Sequence, residues 1–126
     1  MTGRQVVVVE DNERNMKLFR EVLESSGYRT LEAETGERAV ALTIEHRPDL
    51  VLMDIHLPDI DGVEALRLLR ADERTGSVPV VALTAQAMEG DRERFLAAGF
   101  DGYLSKPVNI ADLLDAVRRY CKGGRR

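Results

Sequence analysis

Short runs of hydrophobic residues recur along the chain, and most of them are continuous rather than alternating. The runs at 6–9, 50–53 and 80–83 consist of aliphatic side chains and are bounded by polar or turn-forming residues. Continuous hydrophobicity of this kind is typical of strands that are buried on both faces of a parallel sheet. Arg29–Ala33 instead alternates polar and apolar residues, which favours an edge strand, and 102–104 is a short fifth candidate.

The segments between these runs carry hydrophobic residues at helical spacing. The first has a stripe of Met16, Phe19, Val22 and Leu23 and ends at Gly27, a residue that favours helix C-termini. The other three show a capping residue before an apolar stripe. In one of them, Thr35 is the cap before Val40 and Ile44, and Pro48 ends the helix. In the next, Asp61 is the cap, with Glu64 as its capping-box partner, before Val63, Leu66 and Leu69. In the last, Asn109 is the cap before Ile110, Leu113, Leu114, Val117 and Cys121.

The segment 88–98 differs from the other helical segments because it is mostly charged. Its sizeable apolar side chains are Met88, Phe95 and Leu96. We expect a helix here that is weakly anchored to the core, and therefore mobile or available to a partner protein.

Five strands that alternate with five helices predict a (βα)₅ chain. Parallel strands joined by right-handed crossovers form an open, doubly wound, flavodoxin-like sheet, for which 2-1-3-4-5 is a common strand order. This order places the alternating second strand and the short fifth strand at the edges. We expect one domain over 1–126, with a core at about 5–121 and a flexible basic tail at 122–126, and the start at Met1 favours a complete small protein.

The composition narrows the functional classes. The chain has 126 residues, of which 44% are hydrophobic, and Cys121 as its single cysteine excludes an internal disulfide and argues against a zinc cluster. No apolar run approaches the roughly 18 residues that a membrane span needs, and the N-terminus is too short and polar for a signal peptide. We therefore expect a cytoplasmic protein without membrane insertion.

The formal charge of −4 hides an uneven distribution. Residues 118–126 hold five basic side chains and no acidic one, which leaves thirteen basic against 22 acidic residues before them, a charge of −9. An acidic body argues against nucleic acid as a direct ligand, because phosphate backbones are held by clustered basic side chains. Cations and basic protein surfaces remain as candidates.

Polar side chains stand where four of the predicted strands end. They are Glu10 and Asp11 after the first, Asp54 after the third, Thr84 after the fourth and Lys106 after the fifth. Ligands of doubly wound sheets bind at this edge, between the first and third strands. Taken singly, Asp11 or Asp54 is explained equally well as a turn-forming or structural residue, and Thr84 is explained better as a structural one. Three carboxylates together, however, repel one another unless a cation is present.

Mg²⁺ is the cation that this set favours, since it takes carboxylates, a backbone carbonyl, waters and phosphate oxygens. Lys106 and Thr84 are then predicted to contact phosphate or carboxylate oxygens. A flavin or dinucleotide site would need a glycine- or hydroxyl-rich loop after the first strand, where Glu10 and Asp11 would repel phosphate. A haloacid-dehalogenase-type phosphatase would need a second Asp at position 56, which is His.

Several motifs in order along the chain resemble those of the response-regulator receiver domain, the CheY-like phosphoacceptor module of two-component signalling. They are Val-Val-Glu-Asp-Asn at 8–12, Leu-Met-Asp-Ile-His-Leu-Pro at 52–58 with Asp-Gly at 61–62, Ala-Leu-Thr-Ala at 82–85 and Tyr-Leu-Ser-Lys-Pro at 103–107. The resemblance covers essentially the whole chain. The stretch 10–19 is most similar to stand-alone DivK-type regulators, and 82–91 is also similar to receivers of hybrid histidine kinases.

The resemblance implies that Asp54 accepts a phosphoryl group from a phosphohistidine. It implies that Asp11, Asp54 and the backbone carbonyl of His56 ligate Mg²⁺, with Glu10 helping through a water molecule. The chemistry would be nucleophilic catalysis by a carboxylate, with the metal neutralising charge on the transferred group. The His56 side chain is expected to be neither ligand nor base.

The resemblance also implies how the phosphorylated site is held and read out. Thr84 and Lys106 would contact the phosphoryl oxygens, and Tyr103 would be the switch aromatic that turns inward when Thr84 moves. The Lys106–Pro107 bond is expected to be cis. Three further positions surround the phosphoryl group: Ala85, whose small side chain leaves it accessible, and His56 and Gln86, which tune the lifetime of the phosphoaspartate.

The function implied is that of a stand-alone response regulator of a two-component or phosphorelay system, which signals by binding another protein or by passing the phosphoryl group on. It would have slow autodephosphorylation activity and would not be a classical enzyme. The expected partners are a histidine kinase or histidine phosphotransfer protein, docking at the first helix, and a downstream protein that binds helix 4, strand 5 and helix 5. Within the first helix, Met16 and Phe19 are expected mainly in the core. The alternatives are a noncatalytic binding module of the same fold and a Mg²⁺-dependent phosphatase.

Overall fold

Strands and helices alternate from the first strand to the last helix. The structure, a computed structural model, describes the backbone of residues 4–85 and 90–123 and the side chains up to Cys121. The strands are β1 (Gln5–Val9), β2 (Arg29–Ala33), β3 (Leu50–Asp54), β4 (Val80–Thr84) and β5 (Gly102–Ser105). The helices are α1 (Glu13–Ser25), α2 (Gly36–His46), α3 (Gly62–Ala71), α4 (Asp91–Ala98) and α5 (Ile110–Gly123).

The five strands form one parallel sheet in the order β2-β1-β3-β4-β5, which confirms the predicted topology. Pairing extends further along the strands than the hydrophobic runs indicated. Asp54 pairs with Leu83, and Thr84 pairs with Ser105, so Asp54 and Thr84 are the last residues of β3 and β4 rather than the first residues after them. The sheet itself therefore fixes the backbone of both site residues.

Side chains of each central strand alternate between two buried layers on opposite faces of the sheet. Val7 and Val9 pack with the layer that includes Leu66 of α3 and Phe95 of α4. Val6 and Val8 pack with the other layer. That layer includes Phe19, Leu23, Leu113 and Val117 of α1 and α5. Burial on both faces explains why the sequence of these strands is continuously hydrophobic.

The helix ends follow the local capping signals closely. The side chains of Thr35 and Asp61 accept hydrogen bonds from Arg38 N and Glu64 N, and Asn109 accepts bonds from two amides of α5. The capping box at Asp61 is only half formed, because the Glu64 carboxylate pairs with Arg67 instead of returning to the backbone. Local sequence therefore sets where the helices begin.

The exposed apolar side chains differ in part from those expected. Ile110, the first residue of α5, is 50% exposed, so the buried stripe of that helix begins at Leu113. Met16 and Phe19 are buried, as expected, and Leu18 is the large apolar side chain that α1 exposes. A protein that docks on α1 therefore meets Leu18 rather than the stripe itself.

Helix α4 has a small apolar contact with the rest of the fold. Its buried side chains are Phe95 and Asp91, and Leu96 is exposed. Gly90 and Gly99 flank the helix in left-handed conformations, which glycine adopts without the steric cost of a Cβ atom. Residues 88 and 89 of the predicted segment lie outside the described residues, and the mobility of the segment stays a prediction.

Arg70 at the end of α3 ties together three segments that are distant in sequence. Its guanidinium donates to Val78 O at 2.7 Å, to Gly99 O at 3.0 Å and to Asp101 Oδ2 at 3.0 Å. The same Asp101 oxygen accepts a bond from Val80 N at 2.8 Å, at the start of β4. The Arg70 and Asp101 side chains are 18% and 16% exposed, so solvent screens this network only weakly.

We predict that Arg70→Met lowers the free energy of unfolding by about 3 kcal/mol, because it removes the positive charge beside the weakly exposed Asp101 carboxylate and the donor to the carbonyls of Val78 and Gly99. Arg67→Met is the matched control, since Arg67 is 65% exposed and, among the described residues, its ion pair is with Glu64 one turn away. Such surface pairs contribute little to stability, because solvent screens the two charges. Urea unfolding measures both variants, and equal losses would contradict a structural role for the Arg70 network.

Within residues 4–85 and 90–123, no helix is both long enough and apolar enough to cross a membrane.

Candidate functional site

The carboxyl ends of four strands bring the candidate residues to one edge of the sheet. Glu10 follows β1, Asp54 ends β3, Thr84 ends β4, and Lys106 follows β5. Backbone hydrogen bonds continue this register beyond the strands: Glu10 N donates to Ala33 O at 3.0 Å, and Lys106 N donates to Thr84 O at 2.7 Å. The site residues are therefore held by the sheet and not by flexible loops.

Three carboxylates meet at this edge. One ligand oxygen from each of Glu10, Asp11 and Asp54 lies within 4.8 Å of the others. Glu10 and Asp54 are 1% and 4% exposed, whereas Asp11 is exposed to solvent. Buried carboxylates are costly unless they are paired or bind a cation. Oxygen donors of this kind fit a hard divalent cation.

Lys106 supplies the positive charge between the two buried carboxylates. Its ammonium donates a hydrogen bond to Asp54 Oδ2 at 2.8 Å and lies 2.7 Å from Glu10 Oε1, an ion-pair contact outside hydrogen-bonding geometry. Burial lowers the pKa of Lys106, but the carboxylates of Asp54 and Glu10 outweigh it and raise that pKa. Lys106 therefore remains protonated and offsets the repulsion between the carboxylates.

For Glu10, unlike Lys106, the effect of burial on the pKa outweighs that of the neighbouring opposite charge. Burial raises its pKa, and the neighbouring Asp54 charge adds to this effect, while Lys106 and the bond from Asn12 N to Glu10 Oε2 oppose it. The net direction is upward. The buried Glu10 carboxylate lies close to that of Asp54, so any further cation at the site would stabilise its charged form.

Both oxygens of the Asp54 carboxylate are oriented by hydrogen bonds. Oδ1 accepts from His56 N at 3.0 Å, and Oδ2 accepts from Lys106. The His56 side chain is exposed, whereas its backbone faces the site through this bond. An open cleft of about 260 Å³ reaches Glu10 and Asp11 from solvent, and it is lined also by Glu13, Lys17, Glu32 and Glu34 among others.

The remaining predicted residues lie around this centre. Thr84 is 2% exposed, and Ala85 beside it is exposed. Tyr103 is half-buried, with its ring centroid 6.1 Å from that of Phe95 in α4. The Lys106–Pro107 bond is cis, the isomer that the resemblance implied. Gln86 lies outside the described residues.

Two further features of the site were not found by sequence reasoning. Gly62 N donates to Ile55 O at 2.8 Å, and a Cβ atom at Gly62 would lie 2.6 Å from Asp54 O, so only glycine allows the loop after β3 to close here. Asp59 in the same loop binds the start of α2. The Asp-Gly pair at 61–62 signals the first feature, but no local pattern signals a bond over more than 20 residues.

The arrangement can be compared with known proteins. A sequence model of the family described as "Response regulator receiver domain" matches residues 6–118. The chain belongs to the response regulator receiver family. This confirms the resemblance that the motifs carried.

Curated relatives of this receiver include the polar-differentiation response regulator DivK of Brucella anthropi. It is 45% identical over 117 residues, which cover 93% of this chain and 95% of DivK. DivK of Brucella ovis is 45% identical over the same coverage. The receiver is therefore related to DivK, as the stretch 10–19 indicated.

Solved receivers share its fold. The crystal structure of the receiver domain of sensor histidine kinase PA1611 from Pseudomonas aeruginosa has a TM-score of 0.87 at 41% identity, and the match covers 95% of this chain and 98% of that one. That receiver has a magnesium ion coordinated in its active site cleft. Chemotaxis protein CheY4 of Vibrio cholerae has a TM-score of 0.87 at 25% identity and covers 94% of this chain and 98% of its own. The match to the receiver of a histidine kinase agrees with the resemblance that residues 82–91 had indicated.

Proposed function

We propose that this response regulator accepts a phosphoryl group from a phosphohistidine on Asp54, with Mg²⁺ as cofactor. The observation that carries the proposal is the Asp54 carboxylate, which is 4% exposed, hydrogen-bonded at both oxygens and grouped with Glu10, Asp11 and Lys106. A purely structural aspartate at the end of a strand would not need two further carboxylates beside it. We take about 5–121 as the receiver core.

The oxygen donors at the site suit Mg²⁺, which prefers carboxylates and carbonyls and keeps several waters. Asp11, Asp54 and the backbone carbonyl of His56 would hold it, with Glu10 acting through a water molecule. When bound, the ion would neutralise negative charge on the transferred phosphoryl group. The magnesium in the active site cleft of the related PA1611 receiver supports this assignment.

In the reaction, a carboxylate oxygen of Asp54 attacks the phosphorus of the phosphohistidine. The new bond is an acyl phosphate O–P bond, the bond that breaks is P–N, and the donor imidazole keeps the electron pair of that bond. Lys106 remains protonated throughout and moves from the Asp54 carboxylate to a phosphoryl oxygen. Ala85 leaves room for the donor because its side chain is small and exposed.

The phosphorylated site signals through Thr84 and Tyr103. We propose that the Thr84 hydroxyl donates to a phosphoryl oxygen and that Tyr103, already half-buried beside Phe95, turns inward. Reversing a two-state population from 1:99 to 99:1 takes about 5.5 kcal/mol. Hydrogen bonds to charged groups contribute about 1.5 to 3 kcal/mol each, so the new bond from Thr84 would supply part of this, and Lys106 would add the difference between its bond to the phosphoryl group and its present bond to Asp54.

The proposed partners are proteins. A histidine kinase or histidine phosphotransfer protein would dock on α1 and supply the phosphoryl group, and a downstream protein would bind α4, β5 and α5, where the switch residue Tyr103 lies. The relation to DivK, a polar-differentiation response regulator, supports signalling by protein contacts. Slow autodephosphorylation, tuned by His56 and Gln86, would end the signal.

Incubation with acetyl phosphate and Mg²⁺ tests this function. We predict one phosphoryl group per chain by intact mass, labile to acid and to hydroxylamine as an acyl phosphate is, and none when EDTA replaces Mg²⁺. A wild-type chain that takes up no phosphoryl group, while folded, would leave only the noncatalytic binding module. Continued hydrolysis of phosphorylated metabolites at many turnovers would instead indicate a phosphatase.

A further inference from the structure

Asp59, in the loop between β3 and α3, binds the first turn of α2. Its Oδ1 accepts from Gly36 N and its Oδ2 from Glu37 N, each at 2.8 Å. The Thr35 side chain accepts from Arg38 N, and Ala39 N bonds to Thr35 O. The amide donors at the start of α2 are thus divided between its own cap and the distant loop.

The contact between loop and helix is close as well as polar. A Cβ atom at Gly36 would lie 2.5 Å from Ile60 Cγ1 and 3.0 Å from Ile60 O, so the start of α2 rests directly on the residue after Asp59. The slight burial of Asp59 raises its pKa, but backbone N–H donors, led by those of Glu37 and Gly36, outweigh this and hold the pKa below its ordinary value. The Asp59 carboxylate is therefore charged at neutral pH and favourably placed at the helix N-terminus.

The other side of the same loop contacts the Asp54 carboxylate. His56 N donates to Asp54 Oδ1, and Gly62 N closes the base of the loop on Ile55 O. The loop is thus fastened at its base by Gly62 and at its tip by Asp59. His56 lies between these two points, so both contacts restrain its backbone.

We propose that Asp59 is a positioning residue for the metal and phosphoacceptor site, which fastens the loop that carries His56 to the N-terminus of α2. The inference rests on the proposed Mg²⁺ and phosphoryl chemistry at Asp54. Asp59 itself touches neither the ion nor the reacting atoms. It acts by holding the His56 backbone where the N–H orients Asp54 and the carbonyl can serve as a ligand.

Mg²⁺ titration of the full chain by calorimetry tests this role with two variants of Asp59. Asp59→Ala removes both acceptors, and we expect the Mg²⁺ dissociation constant to rise about tenfold, the lower range for the loss of a group that orients metal ligands. Asp59→Asn keeps one acceptor oxygen and should give a smaller increase. Amide hydrogen exchange without metal should be faster at Gly36, Glu37 and His56 in Asp59→Ala.

Two control variants separate positioning from helix stability and from charge. Thr35→Ala weakens the same helix end through loss of its cap but leaves the Asp59 bonds intact. Glu37→Gln removes one negative charge from the same turn, while its backbone N–H still reaches Asp59. Neither control should change Mg²⁺ affinity more than about twofold, as expected for distant, screened charges.

The outcomes are distinct. Weaker Mg²⁺ binding and faster His56 exchange in the Asp59 variants alone support the proposal. Unchanged Mg²⁺ affinity in Asp59→Ala overturns it, as does an equal loss in Thr35→Ala or Glu37→Gln, which would assign the effect to helix stability or to charge. A wild-type chain that binds no Mg²⁺ would instead refute the proposed function, on which this role depends.

Discussion

Asp54→Asn is expected to take up no phosphoryl group from any donor while remaining folded. A carboxamide oxygen carries no full negative charge and is not a competent nucleophile for phosphorus, and the substitution also removes one of the proposed Mg²⁺ ligands. The shape of the side chain is kept, and one of two adjacent buried carboxylates is removed. We therefore expect the free energy of unfolding in EDTA to be equal to that of the wild type or higher.

Intact mass after incubation with acetyl phosphate and Mg²⁺ measures the loss, and urea unfolding establishes that the variant is folded. Asp115→Asn is the matched control, because Asp115 is 70% exposed and, within the part of the chain that the structure describes, forms its ion pair with Arg118 on the same helix. It should be phosphorylated like the wild type. A folded Asp54→Asn variant that still gains an acid-labile phosphoryl group would place the acceptor elsewhere.

Lys106→Ala is expected to separate metal binding from phosphorylation and switching. The ammonium lies 2.8 Å from Asp54 Oδ2 and 2.7 Å from Glu10 Oε1, with only 16% of its side chain exposed. Removing it leaves two buried carboxylates without their counter-charge, and in EDTA the free energy of unfolding should fall by about 3 kcal/mol. Mg²⁺ should still bind and restore part of this stability, because the proposed ligands are intact.

The same variant should be phosphorylated about a hundredfold more slowly, as expected when a donor to the transition-state charge is removed. Once phosphorylated, it should show little of the change in the Tyr103 NMR signals that we expect of the wild type. Lys17→Ala is the control, since Lys17 is an exposed lysine that lines the cleft leading to Glu10 and Asp11. A full Tyr103 response in phosphorylated Lys106→Ala would contradict the proposed switch.

Features that depend on neighbours in sequence were predictable. The buried strands were evident because burial on both faces demands continuous hydrophobicity, as in 6–9 and 50–53. The starts of α2, α3 and α5 were evident from Thr35, Asp61 and Asn109, because a cap and the amides that it binds lie within three residues. The strand order then placed Glu10, Asp54, Thr84 and Lys106 at one edge, because the carboxyl ends of parallel strands meet there.

Features that depend on the three-dimensional surroundings of a side chain were not predictable. The Glu64 carboxylate had two possible partners nearby, and the choice of Arg67 over the backbone depends on local geometry. Arg70 and Asp59 read as ordinary exposed charges, because their partners lie up to 31 and 23 residues away. Ile110 matches the helical stripe of α5 but lies beyond its buried part. Helical periodicity predicts the face of the helix on which a residue lies, but it does not show where along the helix the contact with the core begins or ends.

The central claim is that Asp54 accepts a phosphoryl group from a phosphohistidine, and the most direct test is to find the modified residue. The chain is incubated with Mg²⁺ and a panel of phosphorylated histidine kinases and phosphotransfer proteins, reduced with borohydride, and mapped by peptide mass spectrometry. We predict reduction of a single acyl phosphate, at Asp54, with at least one donor and in the presence of Mg²⁺ only. Modification at another residue, or at Asp54 without a divalent cation, would contradict the account.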